Sequence, residues 1–124
     1  MNFGIIRLIE ELNALNYAPE IIRDYNGQEY ARITNFEIPA GTFNGRIVEL
    51  AIPAPSDYPR NFGASIHILA NPQLFPFGCV PNIRNIIASP LGADWQYWSI
   101  RFNVSQTNPT AELMTQINEV FRKN

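Results

Sequence analysis

An α+β domain is the fold class that this sequence predicts. Three observations carry the prediction: an amphipathic helical stripe near each end, a set of short strand-like runs with glycine-containing turns between them, and a length of 124 residues, which is the usual size of one domain. Residues 1–124 are therefore read as a single domain, long enough to bury roughly two-thirds of the surface that its unfolded chain would expose.

The first helix follows from spacing. Ile5, Leu8, Ile9, Leu12 and Leu15 recur at intervals of three and four, while Arg7, Glu10, Glu11 and Asn13 fall elsewhere, so one stripe is expected to be buried. Pro19 biases Ala18 away from helical angles, which predicts an end near Asn16. Glu10 and Glu11 interrupt the apolar pattern, so the stretch reads as a folded helix and not as a secretory signal.

Four strands are expected next, as an antiparallel meander with short links. "EIIRDY" and "EYARITNFEI" flank Asn26-Gly27, a pair suited to the positive φ angles of a tight hairpin. "PAGTFNG" leads into "RIVELAI", with Gly41 and Asn44-Gly45 as turn signals. In "GASIHIL", Ile66 and Ile68 face one way and Ser65, His67 and Leu69 the other. Between the third and fourth runs lies "IPAPSDYP", whose prolines fix φ and remove backbone donors. This break is expected to be stiff, with Tyr58 as a buried packing anchor whose hydroxyl finds a partner.

A long irregular segment, "NPQLFPFGCVPNIRNIIASPLGADWQYWSIRFN", separates the sheet from the last helix. It has four prolines and no sustained period, and so long an irregular stretch in a small domain is usually functional. Helical spacing then returns in Leu113, Met114, Ile117, Val120 and Phe121. Asn108 is placed as the N-cap and Pro109 at the first helical position. Arg122 and Lys123 sit where the negative end of the helix dipole favours cations.

The composition excludes several function classes. Nine basic and eleven acidic residues, net −2, do not make a phosphate-tracking surface, so no nucleic-acid partner is expected. No apolar run is long enough to span a membrane. Cys79 is the only cysteine, which rules out an internal disulfide and fits a reducing, cytoplasmic setting. One Cys and one His cannot make a recognisable zinc site, and there is no glycine-rich phosphate loop, so neither metal nor cofactor is expected.

The order of elements, with "IPAPSDYP" inside Val48 to Leu69, resembles the ubiquitin-conjugating (E2) fold. There a strand ending in a proline-rich break is followed by a Tyr-Pro pair, another strand and a long active-site flap. A narrower resemblance is to prokaryotic E2 family E, whose members carry a late Trp-x-x-Trp-Ser motif before the last helix; here "WQYWS" spans Trp95 to Ser99. The sequence departs from the E2 pattern in two places. "RNFGA" replaces a second proline pair, and in place of the His-Pro-Asn tripeptide stand "ANP" before Cys79 and "VPN" after it.

The resemblance implies a UBC-like (E2/RWD-type) domain in a bacterial conjugation pathway. Its implied partners are a ubiquitin-like modifier, an E1-like adenylating enzyme and a JAB-type metallopeptidase. In that reading Cys79 accepts the modifier from the E1-like enzyme as a thioester and passes it to a target, with Asn71, Asn82 and His67 as candidate supporting groups. The alternative is a non-catalytic E2/RWD-like binding module that scaffolds the modifier or the E1-like enzyme. Taken residue by residue, Cys79 is either an accessible nucleophile or a small buried hydrophobe. His67 either acts as a base near the flap or packs in its strand. Phe75, Phe77, Trp95 and Trp98 are candidate partner-binding residues. Alternation places Trp95 and Tyr97 on one face and Trp98 on the other, with one tryptophan expected in the core.

Overall fold

The computed structural model describes residues 3–62 and 65–124. In order they form α1 (Gly4–Ala14), β1 (Glu20–Arg23), β2 (Glu29–Glu37), β3 (Ile47–Pro53), β4 (Ser65–Leu69), β5 (Gly78–Val80), β6 (Ile83–Ser89), β7 (Gly92–Ser99) and α2 (Pro109–Lys123). Gly63 and Ala64, which the sequence reading put at the start of the fourth strand, lie outside the described residues.

All seven strands belong to one antiparallel sheet in the order β1-β2-β3-β4-β7-β6-β5. The expected four-stranded meander is therefore corrected. β1 to β4 do run consecutively, but the sheet continues through three strands in the stretch read as irregular. The chain leaves β4, starts β5 at the far edge, and steps back through β6 until β7 closes against β4. The reason the extra strands escape a periodic reading is that their prolines sit in turns. Pro81-Asn82 joins Val80 to Ile83, and Pro90-Leu91 joins Ser89 to Gly92. Proline presets φ at the second position of such turns, and Asn82 supplies the positive φ of 66° that the third position needs.

The β1–β2 hairpin also differs from expectation. Gly27 has a positive φ of 83° but Asn26 does not, so the connection is not the two-residue turn. Gly27 N–H donates to Asp24 O at 3.0 Å and Asp24 N–H to Gln28 O at 3.1 Å, a three-residue loop ending in a left-handed glycine. The Asp24 carboxylate ties it down by accepting the Asn26 and Gln28 amides at 2.8 and 3.1 Å.

Both helices pack on one face of the sheet. Ile5, Leu8 and Leu12 of α1 and Leu113, Met114, Ile117, Val120 and Phe121 of α2 join Ile33, Ile52, Ile66, Ile68, Ile86 and Trp98 in the main core. The predicted stripe of α2 is buried throughout. In α1 the stripe stops early: Leu15 is the exposed C-cap residue, and Asn16 turns the chain with φ 71°. Asn108 precedes α2 as placed, but its side chain makes no capping bond. Ser105 instead presents its amide and hydroxyl to the Glu112 carboxylate, each at 2.8 Å.

Tyr58 is fully buried, as its sequence context predicts. Its hydroxyl donates to Thr110 Oγ1 at 2.8 Å, and the Thr110 hydroxyl donates to Glu11 Oε1 at 2.5 Å. Glu11 also accepts from Arg7 Nε at 3.0 Å, and Arg7 donates to the Gln106 carbonyl at 3.0 Å. Arg7, expected on the solvent side of α1, is buried by this arrangement. Burial, opposed by the Thr110 hydrogen bond and reinforced by the nearby Glu11 carboxylate, pushes the Tyr58 phenol up to about 12.

Candidate functional site

The candidate site is built from the loop at 70–77 and the short strand β5 at the sheet edge. Three side chains hold the loop down. Arg46 donates to Pro72 O, Gln73 Nε2 to Asp94 O and Gln96 Nε2 to Phe75 O, each at 2.8 Å. Gln96 is itself buried, and its Oε1 accepts the Trp98 indole N–H at 3.1 Å. Phe75 plugs inward, edge-on to Phe43 at 5.1 Å and tilted against Trp98 at 5.6 Å. The chain then emerges. Phe77 is 63% exposed, and Gly78 leads into Cys79, which is exposed in the edge strand. Gly78 has φ 123°, and a Cβ added there would meet nothing within 4 Å. A shallow hollow of about 500 Å³ lies beside this tip, lined by Gln73, Phe75, Pro76, Phe77, Ala93 and Gln96.

Chemically, the arrangement offers one accessible thiol on a pinned backbone. Among the described residues β5 pairs with β6 alone, so its other edge leaves backbone donors and acceptors open to an extended chain. Val80 packs against the main core, while Cys79 beside it is exposed.

The structure separates the other candidate residues from this thiol to different degrees. His67 lies in β4, with β7 and β6 between it and β5; three inter-strand spacings amount to about 14 Å, too far for direct proton transfer to Cys79. Its ring is buried edge-on between Tyr30 and Tyr97, at 4.9 and 5.1 Å, and Nδ1 meets Ser89 Oγ at 2.8 Å. Burial, only partly offset by Asp24, lowers its pKa to about 4. Asn82 sits in the β5–β6 turn and Asn71 opens the loop; both are exposed, and no hydrogen bond holds either side chain among the described residues.

Trp98 is fully buried in the main core. Trp95 is buried on the opposite face in a smaller cluster with Tyr30 and Ala51. The two faces are as alternation predicts, but both indoles are buried where one was expected in the core. Neither ring is open to a partner in this fold, which leaves Phe77 as the exposed aromatic beside Cys79. Sequence reasoning missed Gln96 and Gln73. A glutamine in a strand gives no signal until its register shows which carbonyl it can reach.

Among the described residues no helix is long and apolar enough to cross a membrane. No curated protein and no solved structure matches the chain at a significant level. A family model does, over residues 9–123, which include the Tyr-Pro break, the Cys79 strand, the Trp-x-x-Trp-Ser strand and all of α2. That coverage supports a general role in ubiquitin-like conjugation, with a ubiquitin-like modifier and an E1-like enzyme as the general class of partner: the chain belongs to prokaryotic E2 family E.

Proposed function

We propose that this protein carries a ubiquitin-like modifier as a thioester on Cys79. The sulfur attacks the activated C-terminal carbonyl of the modifier held on an E1-like enzyme. The thioester bond to Cys79 forms, the bond to the E1 sulfur breaks, and the departing E1 thiolate takes up the proton that Cys79 gave up. An amine or hydroxyl of the target then attacks the same carbonyl, releasing the Cys79 thiol and leaving an amide or ester. The observation that carries this reading is the exposure of the only cysteine on an edge strand beside a pinned loop. A backbone fixed in this way contributes by positioning. The setting proposed for this chemistry is the cytoplasm, with a JAB-type metallopeptidase removing the modifier.

A second reading has its own observation. His67 is about three strands away from Cys79, and among the described residues no hydrogen bond holds the Asn71 or Asn82 side chain, so none of these three candidates is fixed where it would stabilise the oxyanion. The protein is then an E2/RWD-like module that binds the modifier or the E1-like enzyme through the exposed tip around Phe77. Incubation with the cognate E1-like enzyme, ATP and modifier separates the two. The carrier gives an adduct that reductant removes, and Cys79→Ser gives a reductant-resistant ester or none. Equal conjugation by wild type and Cys79→Ser leaves the binding module as the function.

A further inference from the structure

The helix-free face of the sheet holds a cavity of about 460 Å³ that the conjugation chemistry does not use. Its volume lies in the range of small-molecule sites. Tyr30, His67 and Tyr97 line it from β2, β4 and β7, with β3 between the first two, and Pro53, Pro55 and Pro90 add rigid apolar surface. Asp24, in the β1–β2 loop, supplies the only formal charge among the described lining residues.

Two acceptor positions remain open here. The Asp24 carboxylate accepts Asn26 and Gln28 amides on Oδ1 and the Tyr30 hydroxyl on Oδ2 at 2.7 Å. A carboxylate has about four lone-pair sites, so one on Oδ2 is unused. Burial alone would raise this group, but the Tyr30 hydroxyl and the two amides hold its pKa below the ordinary carboxylate value, so it stays ionised. The second position is His67 Nε2. The residue is only 2% exposed, its Nδ1 faces Ser89, and Nε2 has no partner among the described residues. Nor is Nε2 among the fully enclosed unpaired atoms, so its small exposure is toward the cavity that His67 lines.

We propose that this cavity binds a primary alkylammonium group, with Asp24 and His67 as its two acceptors. An anion would meet Asp24 with no compensating cation in the lining. A cation gains a carboxylate and an aromatic surround. A primary ammonium carries three N–H donors and so has one to offer each acceptor, which a quaternary ammonium has not. Binding selects the tautomer in which Nδ1–H donates to Ser89 Oγ and Nε2 is bare. The group can come from a lysine side chain of another protein or from a free aliphatic amine; the chemistry is the same. This inference does not depend on the role of Cys79.

His67 is the only histidine in the chain, so its ring nitrogens give one unambiguous signal. The experiment titrates the nitrogen-labelled wild-type protein with n-butylamine at about pH 7.5, where the imidazole is neutral. A saturable shift of Nε2 is expected, with the tautomer fixed as stated. Asp24→Asn keeps an oxygen to accept the loop amides and removes the charge; it should weaken binding about tenfold or more while leaving the far-ultraviolet circular dichroism unchanged. Binding of Nα-acetyl-lysine amide as well as butylamine supports a protein side chain as the source, and binding of butylamine alone supports a free amine. The proposal is overturned by the absence of saturable wild-type binding up to about 100 mM. Equal binding of n-butanol, of tetramethylammonium, or of butylamine to Asp24→Asn overturns it as well.

Discussion

Two proline-rich loops flank β4, and they end in opposite ways. The loop at 54–62 turns Tyr58 inward until it is fully buried and hydrogen-bonded to α2. The loop at 70–77 turns Phe75 inward but leaves Phe77 63% exposed immediately before the exposed Cys79. The first is fastened at Tyr58 twice, by its hydroxyl and by its carbonyl, which accepts the Gly4 N–H at 3.0 Å, and at Ala54 O, which accepts from Gln28 Nε2 at 3.0 Å. The second is fastened at Pro72 O and Phe75 O by side chains reaching from outside it, Arg46 and Gln96, and by its own Gln73. Proline content alone therefore does not decide whether a loop is structural. Both loops are held by their backbone carbonyls; what differs is that the first also has its central aromatic hydrogen-bonded inside the fold, while the second ends in an aromatic that stays exposed.

The sharpest way to break this comparison is at the inward anchor. Tyr58→Ala should cost about 4 kcal/mol, the scale of a large buried aromatic, and Tyr58→Phe about 1 kcal/mol for the lost hydrogen bond. Denaturant midpoints measure both, and an unchanged midpoint for the alanine variant would show that Tyr58 is no anchor.

The strand between the loops gives the next largest effect. His67 has a folded-state pKa of about 4, below its ordinary 6.5, so the unfolded chain takes up the proton first as pH falls. The stability held in the neutral imidazole is complete above about pH 6.5. It drains between 6.5 and 4 and is gone below about 4, a loss of roughly 3 kcal/mol. The measurement compares wild type with His67→Gln at both ends of that window. The difference between their stabilities should shrink or reverse at the acid end, and parallel losses would contradict the burial described.

Gln96→Ala tests the external fasteners. It strands the buried Trp98 N–H and frees Phe75 O, and should cost about 2 kcal/mol. Amide exchange at residues 73–77 should quicken while that around Tyr58 does not. Phe77→Ala should be the smallest, within about 0.5 kcal/mol in stability. Its expected effect is on conjugation, through loss of contact with a partner, as single-turnover transfer to or from the protein would show.

Much of the helical part was legible in the sequence because a stripe at three and four needs no tertiary information. α2 matches its stripe residue for residue, and Tyr58 was readable from its stiff context. The β5–β7 half was not. In β6, Ile83 and Ile86 are buried while Ile87 is exposed, and the ladders on both its sides carry register shifts, so the alternation that reveals a strand is lost. The prolines at 81 and 90 read as breaks because only pairing shows that they lie in hairpin turns. At the candidate site, the identity of Cys79 stood out but its exposure did not, since that depends on β5 lying at a sheet edge. The cavity of Tyr30, His67 and Tyr97 was invisible for the same reason: three strands far apart in the chain come together only once the sheet order is known.

The chain of bonds from Tyr58 through Thr110 and Glu11 to Arg7 and Gln106 has a consequence for how the protein is made. Arg7 and Gln106, and likewise Glu11 and Thr110, are separated by 99 positions. A ribosome working from the amino terminus releases α1 long before either far partner exists. Until then the guanidinium of Arg7 can take the Glu11 carboxylate within its own helix, but the carbonyl and hydroxyl that complete its burial are still unsynthesised. The polar seating of α1 is thus completed only once residues 106–110 have emerged, and a nascent chain cut short before them should pack α1 on β2 without its Arg7–Gln106 and Glu11–Thr110 bonds.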